Sequence, residues 1–168
     1  MPDSVSGRAG ASADAASSAG TLRQSELEAW AVELGRVAVD AGLFVSLCGP
    51  LGAGKSTLVR AACRGLGIQG PIPSPTFTLL NQYSTPGGDP VSHVDLYRID
   101  TEAELLSLGW EELVAEEHAI FVEWAERAAG HLPPRRWDVV LGIAEDPTRR
   151  TVRVSPTGAA PDPPPVPC

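Results

Sequence analysis

The octapeptide Gly49-Pro50-Leu51-Gly52-Ala53-Gly54-Lys55-Ser56 constrains this chain more than any other feature. It fits the pattern G-x-x-x-x-G-K-[ST] and falls between an apolar run at 43–48 and a helical stretch at 55–66 that Gly67 closes. A buried strand, a glycine-rich turn and a helix are the context in which the pattern has a mechanism. Glycines let the backbone curl until successive N–H groups point at phosphate oxygens, and the helix N-terminus adds its positive end. Lys55 supplies a compact charge on a flexible stem that reaches the β and γ phosphates, and Ser56 supplies a hydroxyl for a magnesium ion. The thirteen basic residues are twelve arginines and this single lysine, which stands where a planar guanidinium would be bulkier and differently directed. The loop and its first helical turn, Gly49 to Ser56 with Thr57, are therefore the candidate nucleotide contacts.

Around this unit the chain alternates helices and strands. Ser25 and Glu28 form a capping box ahead of Leu27, Trp30, Ala31, Leu34, Val37 and Ala38 at helical spacing, and Gly42 stops that helix. After the proline-dense segment 71–75, residues 78–83 and 91–95 read as strands of a hairpin around Gly87-Gly88. Thr101 with Glu104 caps a short acidic helix. The run 119–122 is a buried strand ending at Glu123, and Trp137, Val139, Leu141 and Ile143, then 151–154, alternate as strands. This interleaving predicts an α/β three-layer sandwich whose mixed sheet has a parallel core and an antiparallel hairpin portion. Residues 1–20, rich in Ala, Ser and Gly, and 155–168, rich in Pro, lack apolar periodicity and are expected to be disordered. That leaves 21–154 as the folded domain.

Composition excludes several classes of function. No stretch of the 168 residues approaches the length of a membrane span, and residues 1–20 lack the apolar core of a secretory signal, so a cytoplasmic location is expected. A net charge of −8 argues against a domain that grips RNA or DNA by its own charge. Cys48, Cys63 and Cys168 form no CxxC pair and suggest neither a disulfide framework nor a zinc site. His93, His118 and His131 lack ligand spacing and read as surface or packing residues. Trp30, Trp110, Trp124 and Trp137 read as core or interface anchors. The acidic residues Glu102, Glu104, Glu111, Glu112, Glu116 and Glu117 make a solvated face that would also suit a basic partner.

A magnesium nucleotide site also needs an acid at the end of a neighbouring strand, because the ion takes oxygen ligands and keeps several waters. Glu123, after four apolar residues, is the first candidate for metal ligand; Asp95, after Val94, is the second, as a water-positioning group. Thr76, in Ser74-Pro75-Thr76-Phe77, lies where nucleotide switches place a hydroxyl that senses the γ-phosphate. Arg149 and Arg150 either clasp a nucleotide or are exposed strand-edge charges.

The chain resembles the TsaE family of threonylcarbamoyladenosine tRNA-modification ATPases. The resemblance rests on GPLGAGKST from Gly49, SPTFTL from Ser74, HVDLYRI from His93, LGWEE from Leu108 and FVEWAE from Phe121, in this order. It implies a P-loop ATPase using ATP and Mg2+, weak alone and stimulated by two partner proteins, TsaB and TsaD. tRNA would be met only indirectly through that complex, with neither membrane nor DNA involved. On matching residues it points to Lys55 and Ser56 for phosphate and magnesium, Asp95 and Glu123 for the acidic pair, and Thr76 for the switch. Two other readings stay open. A small-molecule kinase of the shikimate or nucleoside type shares the GAGKST loop, but between Arg64 and Arg127 only Arg98 occurs, few for clamping a transferred phosphate. In a nucleotide-gated assembly protein, binding would matter more than hydrolysis.

Overall fold

The computed structural model describes residues 16–168. Seven strands form one sheet in the order β1-β7-β6-β2-β5-β4-β3. They are β1 (Ser18–Arg23), β2 (Phe44–Cys48), β3 (Leu80–Ser84), β4 (Pro90–Asp95), β5 (Ala119–Glu123), β6 (Arg136–Ile143) and β7 (Arg149–Thr157). The central strands β6, β2, β5 and β4 run parallel. Hairpins add antiparallel edges, β3 against β4 and β7 against β6, with β1 outside β7. This is the mixed α/β sheet that the interleaved pattern predicts.

Both faces of the parallel core are covered, as expected when apolar runs such as Phe44–Cys48 and Ala119–Glu123 are buried on either side. Helices α1 (Gln24–Asp40) and α2 (Lys55–Gly65) pack on one face with Leu34, Ala38, Leu58, Val59 and Ala62 fully buried. The other face carries α3 (Glu102–Ser107), α4 (Trp110–Ala115) and a kinked 3₁₀ segment, Ala125–His131. There Phe44 and Trp110 meet edge to face, with ring centroids 6.0 Å apart. At the start of α3 the Glu104 N–H donates to Thr101 Oγ1, and the Thr101 N–H to Glu104 Oε2, the expected box.

Four local expectations are corrected. Helix α1 begins before Ser25: the N–H that returns to a side chain is that of Arg23, to Glu26 Oε2 at 2.7 Å, so the cap lies two residues upstream. Strand β3 begins at Leu80, not 78, because Leu79 takes a positive φ of 66° that no strand accommodates. The arm expected to be disordered through residue 20 is strand from Ser18, since β7 offers it a ladder; residues 1–15 lie outside the described residues. The tail from 155 is also part of the fold: β7 runs to Thr157, and the proline-rich segment beyond it packs on the α1 face. The indole N–H of Trp30 donates to the Pro164 carbonyl at 3.0 Å, and that of Trp137 to the Pro161 carbonyl at 2.7 Å. Val166 is buried, and its N–H donates to Ser18 Oγ. Against α1, β6 and β1 the tail does what helices do elsewhere: it covers apolar surface and gives two buried indoles their acceptors.

Candidate functional site

Strand β2 ends at Cys48 and α2 begins at Lys55, so the glycine-rich loop hangs at the carboxyl edge of the parallel strands, where α/β sheets place their ligand crevice. Gly49 has φ 143°, and a Cβ there would lie 2.2 Å from the Leu141 carbonyl oxygen, so the loop seats against β6 with no room for a side chain. The parallel register sets Leu47 beside Glu123 and Glu123 beside Asp95. Two carboxylates thereby finish adjacent strands at the foot of the loop. A cleft of about 330 Å³ opens there, lined by Lys55, Ser56, Thr76, Asp95 and Glu123 among others.

The polar contacts in this cleft are short and specific. Ser56 Oγ donates to Glu123 Oε2 at 2.8 Å, and the other carboxylate oxygen lies 2.7 Å from His93 Nε2. Thr76 Oγ1 donates to Asp95 Oδ2 at 2.8 Å, while Asp95 Oδ1 accepts the Tyr97 N–H at 2.9 Å. The Lys55 ammonium donates to the carbonyls of Gly49 and Pro50 at 2.6 and 3.0 Å and stands 3.8 Å over the Trp124 ring. Burial pulls the Lys55 pKa below its ordinary value, and the carboxylates of Glu123, Glu126 and Asp95 act against that shift. Burial pushes the Cys48 thiol, at the end of β2, up to about 12, with Glu126 adding to the rise, so it offers no nucleophile.

Of the residues singled out from sequence, Leu51, Gly52, Gly54, Lys55, Ser56 and Thr57 face the cleft, with Thr76, Asp95 and Glu123 opposite. Gly49, Pro50 and Ala53 shape the loop without lining it; Ala53 is buried beneath. The two arginines part company. Arg150 Nε donates to the Gly52 carbonyl at 3.2 Å and borders a second hollow of about 320 Å³ on the far side of the loop, with Gln24, Thr57 and Thr148. Arg149 instead donates to the Thr21 carbonyl and faces Asp146, away from the loop.

Tyr97 and Trp124 line the cleft although the sequence assigns neither of them a role there. Trp124 follows Glu123 with a positive φ of 58°, a conformation costly for a bulky side chain, and turns its ring to Lys55 and to Tyr97, 5.0 Å away. His93, read as a surface or packing residue, is fully buried and bonded to Glu123 beneath the cleft.

Ser56 and Glu123 are a hard-oxygen pair of the kind magnesium accepts, and the described residues contain no cluster of three or more His, Cys, Asp or Glu able to hold a metal by themselves. With two protein oxygens, an ion there would take its other ligands from phosphate and water.

A family profile described as threonylcarbamoyl adenosine biosynthesis protein TsaE matches residues 21–152. The chain belongs to the TsaE family. A protein from Nostoc sp. named tRNA threonylcarbamoyladenosine biosynthesis protein TsaE is 41% identical over 116 residues, covering 67% of this chain and 70% of the Nostoc protein. Its namesake from Treponema pallidum is 37% identical, covering 71% and 87% respectively. The crystal structure of YdiB from Bacillus subtilis superposes with a TM-score of 0.70 at 28% identity, over 85% of this chain and 87% of that one. As a TsaE-family member the chain is set apart from the small-molecule kinases that share its loop. Among the described residues no helix is long and apolar enough to cross a membrane.

Proposed function

We propose that this chain is the ATP-binding and ATP-hydrolysing subunit of tRNA threonylcarbamoyladenosine biosynthesis, working in the cytoplasm with TsaB and TsaD. The observation that carries the reading is the Ser56 Oγ to Glu123 Oε2 contact of 2.8 Å at the foot of the phosphate loop. The backbone N–H groups of residues 49–56 cradle the phosphates, with the start of α2 behind them. Lys55 exchanges its bonds to the Gly49 and Pro50 carbonyls for bonds to β and γ oxygens. Ser56 and Glu123 hold Mg2+, which when bound supplies neutralisation of the charge on the phosphate oxygens. Asp95 orients the attacking water. Thr76, bonded to Asp95, ties the 74–77 segment to the nucleotide, so that segment reports whether a γ-phosphate is present. Arg150, against the Gly52 carbonyl, contacts the nucleotide from the far side of the loop.

The dependence on partners rests on the same cleft. Leu51, which lines the cleft, is 76% exposed, and Phe77, the residue after Thr76, is 81% exposed, apolar surface of the kind a docking protein covers. The net charge of −8 suits contact with proteins, with tRNA held elsewhere in the assembly. The test is steady-state phosphate release from ATP by the pure protein, alone and with TsaB, TsaD and tRNA, with Lys55→Ala as control. Stimulation that needs both Lys55 and the partners supports the reading. Release that ignores partners, or that persists in Lys55→Ala, overturns it.

A further inference from the structure

Resting on the nucleotide-site reading above, we propose that His93 is a positioning residue that fixes the Glu123 carboxylate in the orientation a divalent cation requires. His93 and Asp95 project from the same face of β4, and the parallel register sets His93 beside Phe121 and Asp95 beside Glu123. The imidazole therefore lies one pleat below the two acids, reaching Glu123 diagonally from inside the protein. It is fully buried, with Nε2 2.7 Å from Glu123 Oε1. An ionised carboxylate only accepts, so Nε2 carries the proton and donates.

The remaining ring nitrogen makes the contact informative. His93 Nδ1 is buried and has no hydrogen-bond partner among the described residues. An aliphatic side chain at position 93 would fill the space without burying an unpaired polar atom, so packing does not explain the imidazole. What it contributes is direction. The terminal torsion of a glutamate is broad, and a carboxylate held by one donor rotates. Glu123 is held by two, Ser56 on Oε2 and His93 on Oε1. When the Ser56 hydroxyl turns to an ion, Oε2 is freed while the His93 bond still fixes the plane of the group. Groups of this kind behind a metal ligand typically change metal affinity by about 10- to 100-fold.

The test compares His93→Leu, His93→Gln and His93→Asn in the full chain, by titrating a fluorescent ADP with and without magnesium chloride. Glutamine places an amide N–H near the position of Nε2, whereas asparagine is too short to reach Oε1. The inference predicts that Leu and Asn variants need at least about tenfold more magnesium for half-maximal effect, while ADP affinity in EDTA stays within about twofold. His93→Gln should stay within about threefold of wild type. Thermal melts identify a variant that fails to fold, and if His93→Leu does, the Gln and Asn pair decides. Gln and Asn variants that respond to magnesium alike, or all variants matching wild type, would overturn the inference. Wild-type binding indifferent to magnesium would overturn the cation site itself and this inference with it.

Discussion

Replacing Gly49 by alanine should cost the nucleotide-free protein several kcal/mol, while the same change three residues on, at Gly52, should cost far less. The two glycines share a loop and a positive φ, 143° and 80°, but not their surroundings. A Cβ at Gly49 would sit 2.2 Å from the Leu141 carbonyl oxygen and 3.1 Å from its carbon, both backbone atoms of β6 that are locked in the sheet. Relief requires the loop to move by about 1 Å, an overpacking cost of about 1–3 kcal/mol, on top of about 1–3 kcal/mol for the backbone conformation. The sum centres near 4 kcal/mol, a large part of the usual 5–15 kcal/mol of a domain. At Gly52 nothing among the described residues lies within 4 Å of a Cβ, so only the conformational term of about 1–2 kcal/mol remains. Thermal unfolding followed by tryptophan fluorescence should show Gly49→Ala lowered by about 8–16 °C and Gly52→Ala by about 2–8 °C. Equal losses, or a larger loss at Gly52, would refute the claim that the loop is seated on β6.

Three further outcomes follow from the contacts described. Ending the chain at Gly158 removes Val166 and the acceptors of Trp30 and Trp137, and should lower stability by about 2 kcal/mol, the freedom regained by a tail that is half proline being small. Tryptophan emission should shift to the red, and an unchanged spectrum would contradict the packed tail. Asp138→Asn should flatten the acid limb of the stability profile. Burial raises the Asp138 pKa, but hydrogen bonds from Arg136, Ser46 and Thr157 outweigh it and hold the group below its ordinary value. Its contribution is therefore full above about pH 3.9 and lost as pH falls through the lower folded value. Urea midpoints from pH 7 to pH 3 that fall in parallel for both proteins would contradict this. Arg150→Ala should weaken nucleotide binding about tenfold and Arg149→Ala less than about twofold, by fluorescence titration, and the reverse order would misplace the ligand.

The parts of the molecule legible in the sequence are those whose signals are local. The phosphate loop, the capped helix at Thr101 and the apolar strand ending in Glu123 each declare themselves within a dozen residues. The edges of the fold do not. Ser18–Arg23 has weak strand propensity, and it is β7, more than 120 residues later, that makes it a strand. The tail escapes the sequence pattern for a related reason: proline-rich sequence lacks periodicity, yet its fixed φ lowers the entropy lost on docking, and the acceptors needed by Trp30 and Trp137 have no sequence mark. In the site, Ser56 and Glu123 are legible by pattern. His93 is not, because its contact with Glu123 spans 30 residues and arises only from the register of two parallel strands.

The central claim is that Glu123, held by Ser56, serves hydrolysis at the phosphate loop, and a single-turnover comparison of wild type with Glu123→Gln tests it most directly. Glutamine preserves shape and removes the charge. The account predicts that the variant still binds ATP but releases phosphate at least about 100-fold more slowly in the presence of TsaB and TsaD. Phosphate release at the wild-type rate by the bound variant would contradict it.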